Sequence, residues 1–416
     1  MDTRMLWQPS LPERYTTMDP AELSEAIEDR RRRLGERLFI LGHHYQVDDV
    51  IRHADASGDS LKLSQIAARV AVERDVEFVV FCGVHFMAET ADMLTPDRVS
   101  VLLPDLSAGC SMADMAAYDD TVEAWELIHE ALDKVHGGGW NGRVVPITYV
   151  NSSAAIKAFV GSHGGACCTS SNADRVFEWA MAGGTEPKRD GEEIKILFLP
   201  DQHLGRNTAH KFGVDVASAS CVYDPKRTAR GEGIGGSDEA EIARSEVILW
   251  AGHCSVHKLF RPEHCDEIRE LEPDRNILVH PECCKEVVDK ADLAGSTEFI
   301  IKTLEAAEPG SRWAVGTEHN LVNRMRDVMG ERGVDVRILS DCQCLCTTMY
   351  RIDEPHLLWV LDGLLGIGTG KDGKDGGDGA PVVRNAIAVH PEVTGPAVLA
   401  LDRMLELVTP AATLTD

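Results

Sequence analysis

The feature that most constrains the fold of this chain is an order of segments that recurs three times along it, although the residues filling that order differ. Each copy opens with a short apolar run, 38–41, 144–148 or 277–279, ending in His43-His44-Tyr45, Tyr149-Val150-Asn151 or His280-Pro281-Glu282. Hydroxyl residues then open a helical pattern: Asp59-Ser60 before 61–68, Thr169-Ser170 before 172–180, and Ser296-Thr297 before 298–306. Ser60, Ser170, Ser296 and Thr297 are read here as N-caps. Second apolar runs follow at 76–81, 196–199 and 313–315, then a further helical stretch. The last runs, 99–103, 247–250 and 334–339, lead to Cys110, to Cys254 and to the group Cys342, Cys344 and Cys346.

Short, continuously apolar strands alternating with helices are the pattern of parallel sheets buried on both faces. The expected fold class is therefore α/β, with three homologous three-layer α/β/α domains around a pseudo-threefold axis. The expected boundaries are 36–120, 143–262 with loop insertions around 183–193 and 223–241, and 275–350. A C-terminal helical tail, 351–416, with helices at 357–365 and 396–407 and a glycine-rich loop at 366–381, should pack on the body. Ligands of such sheets gather beyond the carboxyl ends of the strands, where the polar residues and cysteines of every copy fall.

Composition narrows the chemistry. Lysine and arginine number 42 against 68 acidic residues, and a net charge of −26 argues against nucleic-acid or acidic-membrane partners. No apolar run approaches the roughly 18 residues of a membrane span, and residues 1–20 lack the apolar stretch of a secretory signal, so a cytoplasmic protein is expected. Twelve cysteines in a reducing compartment point to metal or redox chemistry rather than disulfides.

No two cysteines stand in C-x-x-C spacing, so a metal site must be assembled from distant parts of the chain. Cys82, Cys221, Cys265 and the pairs Cys167-Cys168 and Cys283-Cys284 read as small buried hydrophobes. Cys110, Cys254 and one of the last group hold equivalent places in the repeat. Three thiolates would leave one iron of a four-iron cluster open as a Lewis acid. Helix N-termini offer free N–H groups, so three of them suit a substrate with several anionic groups despite the net charge. His43, Tyr45, Tyr149, Asn151, His280 and Glu282 combine imidazoles, phenols and a carboxylate, the groups that proton abstraction and dehydration require.

Three motif matches carry no function. Gly231, Gly233 and Gly236 satisfy G-x-G-x-x-G but follow a charged stretch instead of a strand. Gly370-Lys371 is followed by Asp372, where a P-loop needs serine or threonine. His280-Pro281-Glu282 lacks the P-C-x-x-C partner of a zinc deaminase.

With these residues in view the chain resembles the iron–sulfur quinolinate synthase A family from about residue 38 to about 361. The motifs that carry the resemblance are HxYQ at 43–46, GDS at 58–60, FCGVHFMAE at 81–89, YVN at 149–151, TSxN at 169–172, GHCxVH at 252–257, HPEC at 280–283, GST at 295–297 and GTE at 316–318. The resemblance implies a transferase that condenses iminoaspartate with dihydroxyacetone phosphate to quinolinate, phosphate and two waters, in the biosynthesis of NAD. It implies a [4Fe-4S] cluster on Cys110, Cys254 and Cys346, the last chosen from its group by its distance to Met349. Tyr45, Tyr149 and Glu282 would serve acid–base steps, and His43 and His280 would orient substrate. Ser60, Asn151, Ser170, Ser296 and Thr297 would hold carboxylates and phosphate, and an L-aspartate oxidase would supply iminoaspartate. The chain departs from the family pattern at His44, Thr347 and the tight Cys342-x-Cys344-x-Cys346 spacing. Two rival readings are a cluster-dependent hydro-lyase acting on another polycarboxylate and an iron or redox sensor. The sensor has no evident basic or DNA-reading motif to support it.

Overall fold

The computed structural model describes residues 8–341, 344–369 and 378–408. Its strands form three sheets in which every pairing is parallel. The first contains β1 (Leu38–His43), β2 (Ala56–Gly58), β3 (Phe78–Cys82) and β4 (Ser100–Leu102), in the order β2-β1-β3-β4. The second contains β5 (Gly142–Tyr149), β6 (Ala166–Cys168), β7 (Glu193–Leu199), β8 (Ser220–Tyr223) and β9 (Val247–Trp250), in the order β6-β5-β7-β9-β8. The third contains β10 (Asn276–Val279), β11 (Leu293–Ala294), β12 (Arg312–Gly316) and β13 (Asp335–Ile338), in the order β11-β10-β12-β13. Apart from the added β8, each sheet has the same strand order, which bears out the α/β class expected from the repeat.

Burial explains the parallel pairing. All of β1 is buried, and Ile40 and Leu41 have no exposed surface. Each such side chain contributes roughly 1.5–3 kcal/mol on leaving water, and both sheet faces must be covered for that to happen. The chain divides into two compact units. One holds the first sheet with His319–Arg324 and Leu345–Val389; the other holds the second and third sheets with Met325–Cys344 and His390–Asp416. In the first unit the open edge of β4 is covered by residues 385–387, through Leu103 N–H to the Asn385 carbonyl (3.1 Å) and Ile387 N–H to the Val101 carbonyl (2.8 Å).

The structure corrects several expectations. The insertion at 223–241 is not a plain surface loop: β8 ends at Tyr223, and the helices Pro225–Ala229 and Glu239–Arg244 follow. Tyr223 is fully buried and stacks on Trp250 with ring centroids 5.3 Å apart. An edge strand buried only at alternate residues does not show the continuous apolar run of a central one. β2, β6 and β11 also escaped the sequence, because two or three residues are too few to establish a period. The last helix is Pro391–Val408, starting before Pro396 and packing on the helix Ala154–Ser162. A side chain at Gly161 would meet the Pro396 carbonyl oxygen at 1.9 Å, so this crossing requires glycine. Cys342 and the Gly370-Lys371-Asp372 motif lie outside the described residues.

Candidate active site

In the second unit β5 ends at Tyr149 and β10 leads into His280-Pro281-Glu282, so both deliver their polar residues at carboxyl strand ends. Glu282 is the centre of a buried network. His257 Nδ1 lies 2.8 Å from Glu282 Oε2, and His257 Nε2 lies 3.1 Å from the Thr317 hydroxyl. Tyr149 adds a side-chain hydrogen bond to the same carboxylate, and the His280 ring stacks on His257 at 4.4 Å. His257, His280 and Glu282 are 1%, 2% and 3% exposed, so bulk water screens none of these interactions.

The charges follow from that burial. Desolvation alone would raise the Glu282 carboxyl, but His257, His280 and the hydrogen bonds from His257 and Tyr149 bring it down to about 2. Ionised, it only accepts, so His257 Nδ1 donates to it. Burial, and then the neighbouring His257, take His280 down to about 3. His280 is thus a neutral imidazole, and its Nδ1 accepts the Glu282 N–H at 3.3 Å, which leaves Nε2 as the protonated nitrogen. Asp201 is pushed well above the usual carboxylate range, first by burial and then by Glu282.

Asp201 also anchors a cysteine. Its Oδ1 accepts from His203 N–H (2.7 Å) and Leu204 N–H (2.8 Å), capping the helix Gln202–Lys211, and its Oδ2 accepts the Cys254 N–H at 3.2 Å. Cys254, His257 and Glu282 present one ligand atom each within 4.8 Å of one another. Ser170 and Ser296 line one cavity of about 640 Å³ in this unit, together with Asn207, Pro281, Phe299 and Lys302. Asn151 Oδ1 and Asn172 Nδ2 are buried with no hydrogen-bond partner among the described residues, which marks them as groups a ligand would satisfy.

The first unit holds the other expected residues. His43 ends β1, and its Nδ1 accepts the Tyr45 N–H at 3.2 Å. Asn320 Nδ2 donates to the Tyr45 carbonyl (3.1 Å), and Arg324 donates to the carbonyls of His44 (2.9 Å) and Gln46 (2.7 Å) and to Asp48 (2.7 Å). Gln46 Nε2 reaches Met349 Sδ at 3.5 Å, tying the Cys346 segment to the end of β1. Arg351 ties that segment to Ser107, three residues before Cys110.

Only one of the four expected hydroxyl caps acts as one. Ser296 accepts from Phe299 N–H at 3.3 Å. Ser60 and Thr297 are the first residues inside their helices, Ser60–Glu73 and Thr297–Glu305, and Asp59 supplies the cap of the former. Ser170 lies in the turn before Asn172, which occupies the cap position of Ala173–Met181. Sequence reasoning assigned no role to His257, Thr317, Asp201 or Arg324. The first three stand just past strand ends, as the chosen residues do, and that position was the available signal.

Among the described cysteines Cys110, Cys254, Cys284 and Cys346 are partly exposed and the others are buried. Burial pushes buried thiols up, Cys82 and Cys167 to about 12, so those sulfurs resist becoming thiolate ligands. Cys284 departs from the buried role expected of it. No helix of the described residues is long and apolar enough to cross a membrane.

Parallel sheets of one strand order, with a desolvated carboxylate, imidazole and phenol network at their carboxyl ends, define an α/β enzyme built for proton transfer on a small polar substrate. Comparison with known proteins is specific. A family model described as "Quinolinate synthetase A protein" matches residues 25–406. The quinolinate synthase of Anoxybacillus flavithermus is 47% identical over 397 residues, 95% of this chain and 96% of its own. That of Halalkalibacterium halodurans is 47% identical over 396 residues (95% and 96%), and that of Bacillus anthracis 46% over 398 (96% and 96%). The chain belongs to the quinolinate synthase family, as its motifs led us to expect.

Proposed function

We propose that this chain condenses iminoaspartate with dihydroxyacetone phosphate to give quinolinate, inorganic phosphate and two waters, in the cytoplasm and as a step of NAD biosynthesis. The observation that carries this reading is the buried Tyr149–Glu282–His257–Thr317 network beside Cys254. An ionised carboxylate out of water accepts a substrate proton, and the phenols of Tyr149 and Tyr45 return protons to leaving hydroxyls. His280 and His43, each with Nδ1 engaged by a backbone N–H, present Nε2–H as donors that orient carboxylate or carbonyl oxygens. Ser60, Asn151, Ser170, Ser296 and Thr297 bind the carboxylates and the phosphate. Three repeats, 36–120, 143–262 and 275–350, each supply part of this set, and 351–416 forms a supporting tail.

The residues fit an iron–sulfur cluster. Cys110, Cys254 and Cys346 are three of the four partly exposed cysteines among the described residues, whereas Cys344 is buried. A [4Fe-4S] cluster on those thiolates keeps one iron open as a Lewis acid toward substrate oxygen or nitrogen. Iminoaspartate is an imine that water hydrolyses, which favours direct supply by an L-aspartate oxidase. The test is anaerobic. Wild type and Cys346→Ser are reconstituted with iron and sulfide and given oxaloacetate, ammonia and dihydroxyacetone phosphate. Quinolinate from the wild type, with cluster and product both lost in the variant, supports the reading; cluster-loaded wild type without quinolinate overturns it.

A further inference from the structure

Cys254, His257 and Glu282 have a property that a cysteine-only cluster does not need. They bring one sulfur, one imidazole nitrogen and one carboxylate oxygen together, all within 4.8 Å, inside the second unit alone. Zinc bound to such donors at about 2.0–2.3 Å in a tetrahedron has neighbouring donors roughly 3.3–3.7 Å apart. The donors here therefore need only small movements, and the 2.8 Å His257–Glu282 separation must open by about half an ångström.

The surroundings match those of a ligand set. Metal-binding side chains are held by a second layer of hydrogen bonds that fixes their orientation. Thr317 holds His257 Nε2, Tyr149 holds the Glu282 carboxylate, and Asp201 holds the Cys254 N–H. When His257 Nδ1 turns to a metal, its proton moves to Nε2, where the Thr317 oxygen accepts it. His257 and Glu282 are buried while Cys254 is partly exposed, so an ion enters from the cysteine side and keeps a fourth position for water.

We propose that the cluster-free chain binds one divalent transition-metal ion of the zinc type on Cys254 Sγ, His257 Nδ1 and a Glu282 carboxylate oxygen, with water as fourth ligand. The Cys254 thiol gives up its proton to solvent as the metal–sulfur bond forms. The site needs neither Cys110 nor Cys346. It takes the same Cys254 that a cluster would use and the carboxylate that substrate chemistry would use, so the single-ion form is inactive and competes with cluster assembly.

The probe is Co²⁺, titrated anaerobically into the chelator-stripped full-length chain. One Co²⁺ per chain, with a thiolate-to-cobalt band in the near ultraviolet and the strong visible bands of four-coordinate cobalt, bleached by Zn²⁺, is the expected result. Glu282→Gln and His257→Ala should each weaken binding by at least about tenfold, while Cys110→Ser and Cys346→Ser change it by less than about twofold. Circular dichroism of the metal-free variants establishes that they fold; should His257→Ala not, Glu282→Gln and Cys254→Ala carry the test, the latter losing the near-ultraviolet band. Absence of that band in the wild type overturns the proposal, and so does a band that survives Glu282→Gln but disappears in Cys346→Ser. Quinolinate formation is not read in this experiment, so its outcome is independent of the proposed activity.

Discussion

The ends of β1 and β10 begin alike and finish differently. In both, a histidine accepts, on Nδ1, the backbone N–H two residues on: Tyr45 to His43 at 3.2 Å and Glu282 to His280 at 3.3 Å. Equivalent strands thus fix equivalent imidazole tautomers. Beyond that point, the first segment is held by its backbone, through Arg324 and Asn320 binding the carbonyls of His44, Tyr45 and Gln46. The third is held by its side chains, through the buried pairing of Glu282 with His257 and Tyr149. A backbone clamp tolerates any side chain at the held position. A side-chain network specifies one, because each partner left unpaired in a desolvated site is costly. Repetition supplied the scaffold, and one residue per copy decided the chemistry.

The sharpest test of that contrast is Glu282→Gln against Tyr45→Phe. Loss of the buried carboxylate should lower quinolinate formation by about 10²–10⁴-fold and loss of the phenol by less, both in the anaerobic assay with folded, cluster-loaded protein. Equal losses would erase the distinction. Thr317→Val, which takes the hydroxyl from His257, should cost about 1–3 kcal/mol of orientation and slow turnover roughly tenfold or more, at unchanged cluster content; unaltered turnover would remove Thr317 from the network.

The pH response comes next in size. His280 has its ordinary value of 6.5 when unfolded and about 3 when folded, so the unfolded chain binds the extra proton between those limits. Its contribution to stability is present above pH 6.5 and is lost as pH falls toward 3, and Glu282 adds a loss of the same sign from 4.5 toward about 2. With chelator present, the melting temperature of the wild type should fall from pH 7 to pH 5, and His280→Asn should flatten that fall. An equal slope in the variant would assign the titration elsewhere. The smallest effect belongs to Arg324→Ala, expected to cost about 1–3 kcal/mol and to speed amide exchange at residues 44–48 while leaving 280–282 unchanged; faster exchange at both would show that the two segments are not held independently.

Much was legible before any coordinates. Continuous apolar runs such as 38–41 and 277–279 mark strands buried on both faces, because only full burial favours so unbroken a pattern. Their polar ends marked Tyr45, Tyr149, His280 and Glu282 as site candidates, and the motifs identified the family. Capping was legible only in part, since Asp59 rather than Ser60, and Asn172 rather than Ser170, hold the cap positions. Which residue of such a pair takes the extended backbone is set by where the helix begins.

The sequence by itself determined the α/β class, the threefold order and the family, since these rest on periodicity and on residues close together in the chain. Tertiary structure alone decided that Glu282 meets His257 and Thr317, that Asp201 holds Cys254, and that β8 joins an edge. Those pairings lie 25, 60 and 53 positions apart in the chain. A carboxylate's charge depends on which groups surround it after water has left, and no local pattern encodes that environment.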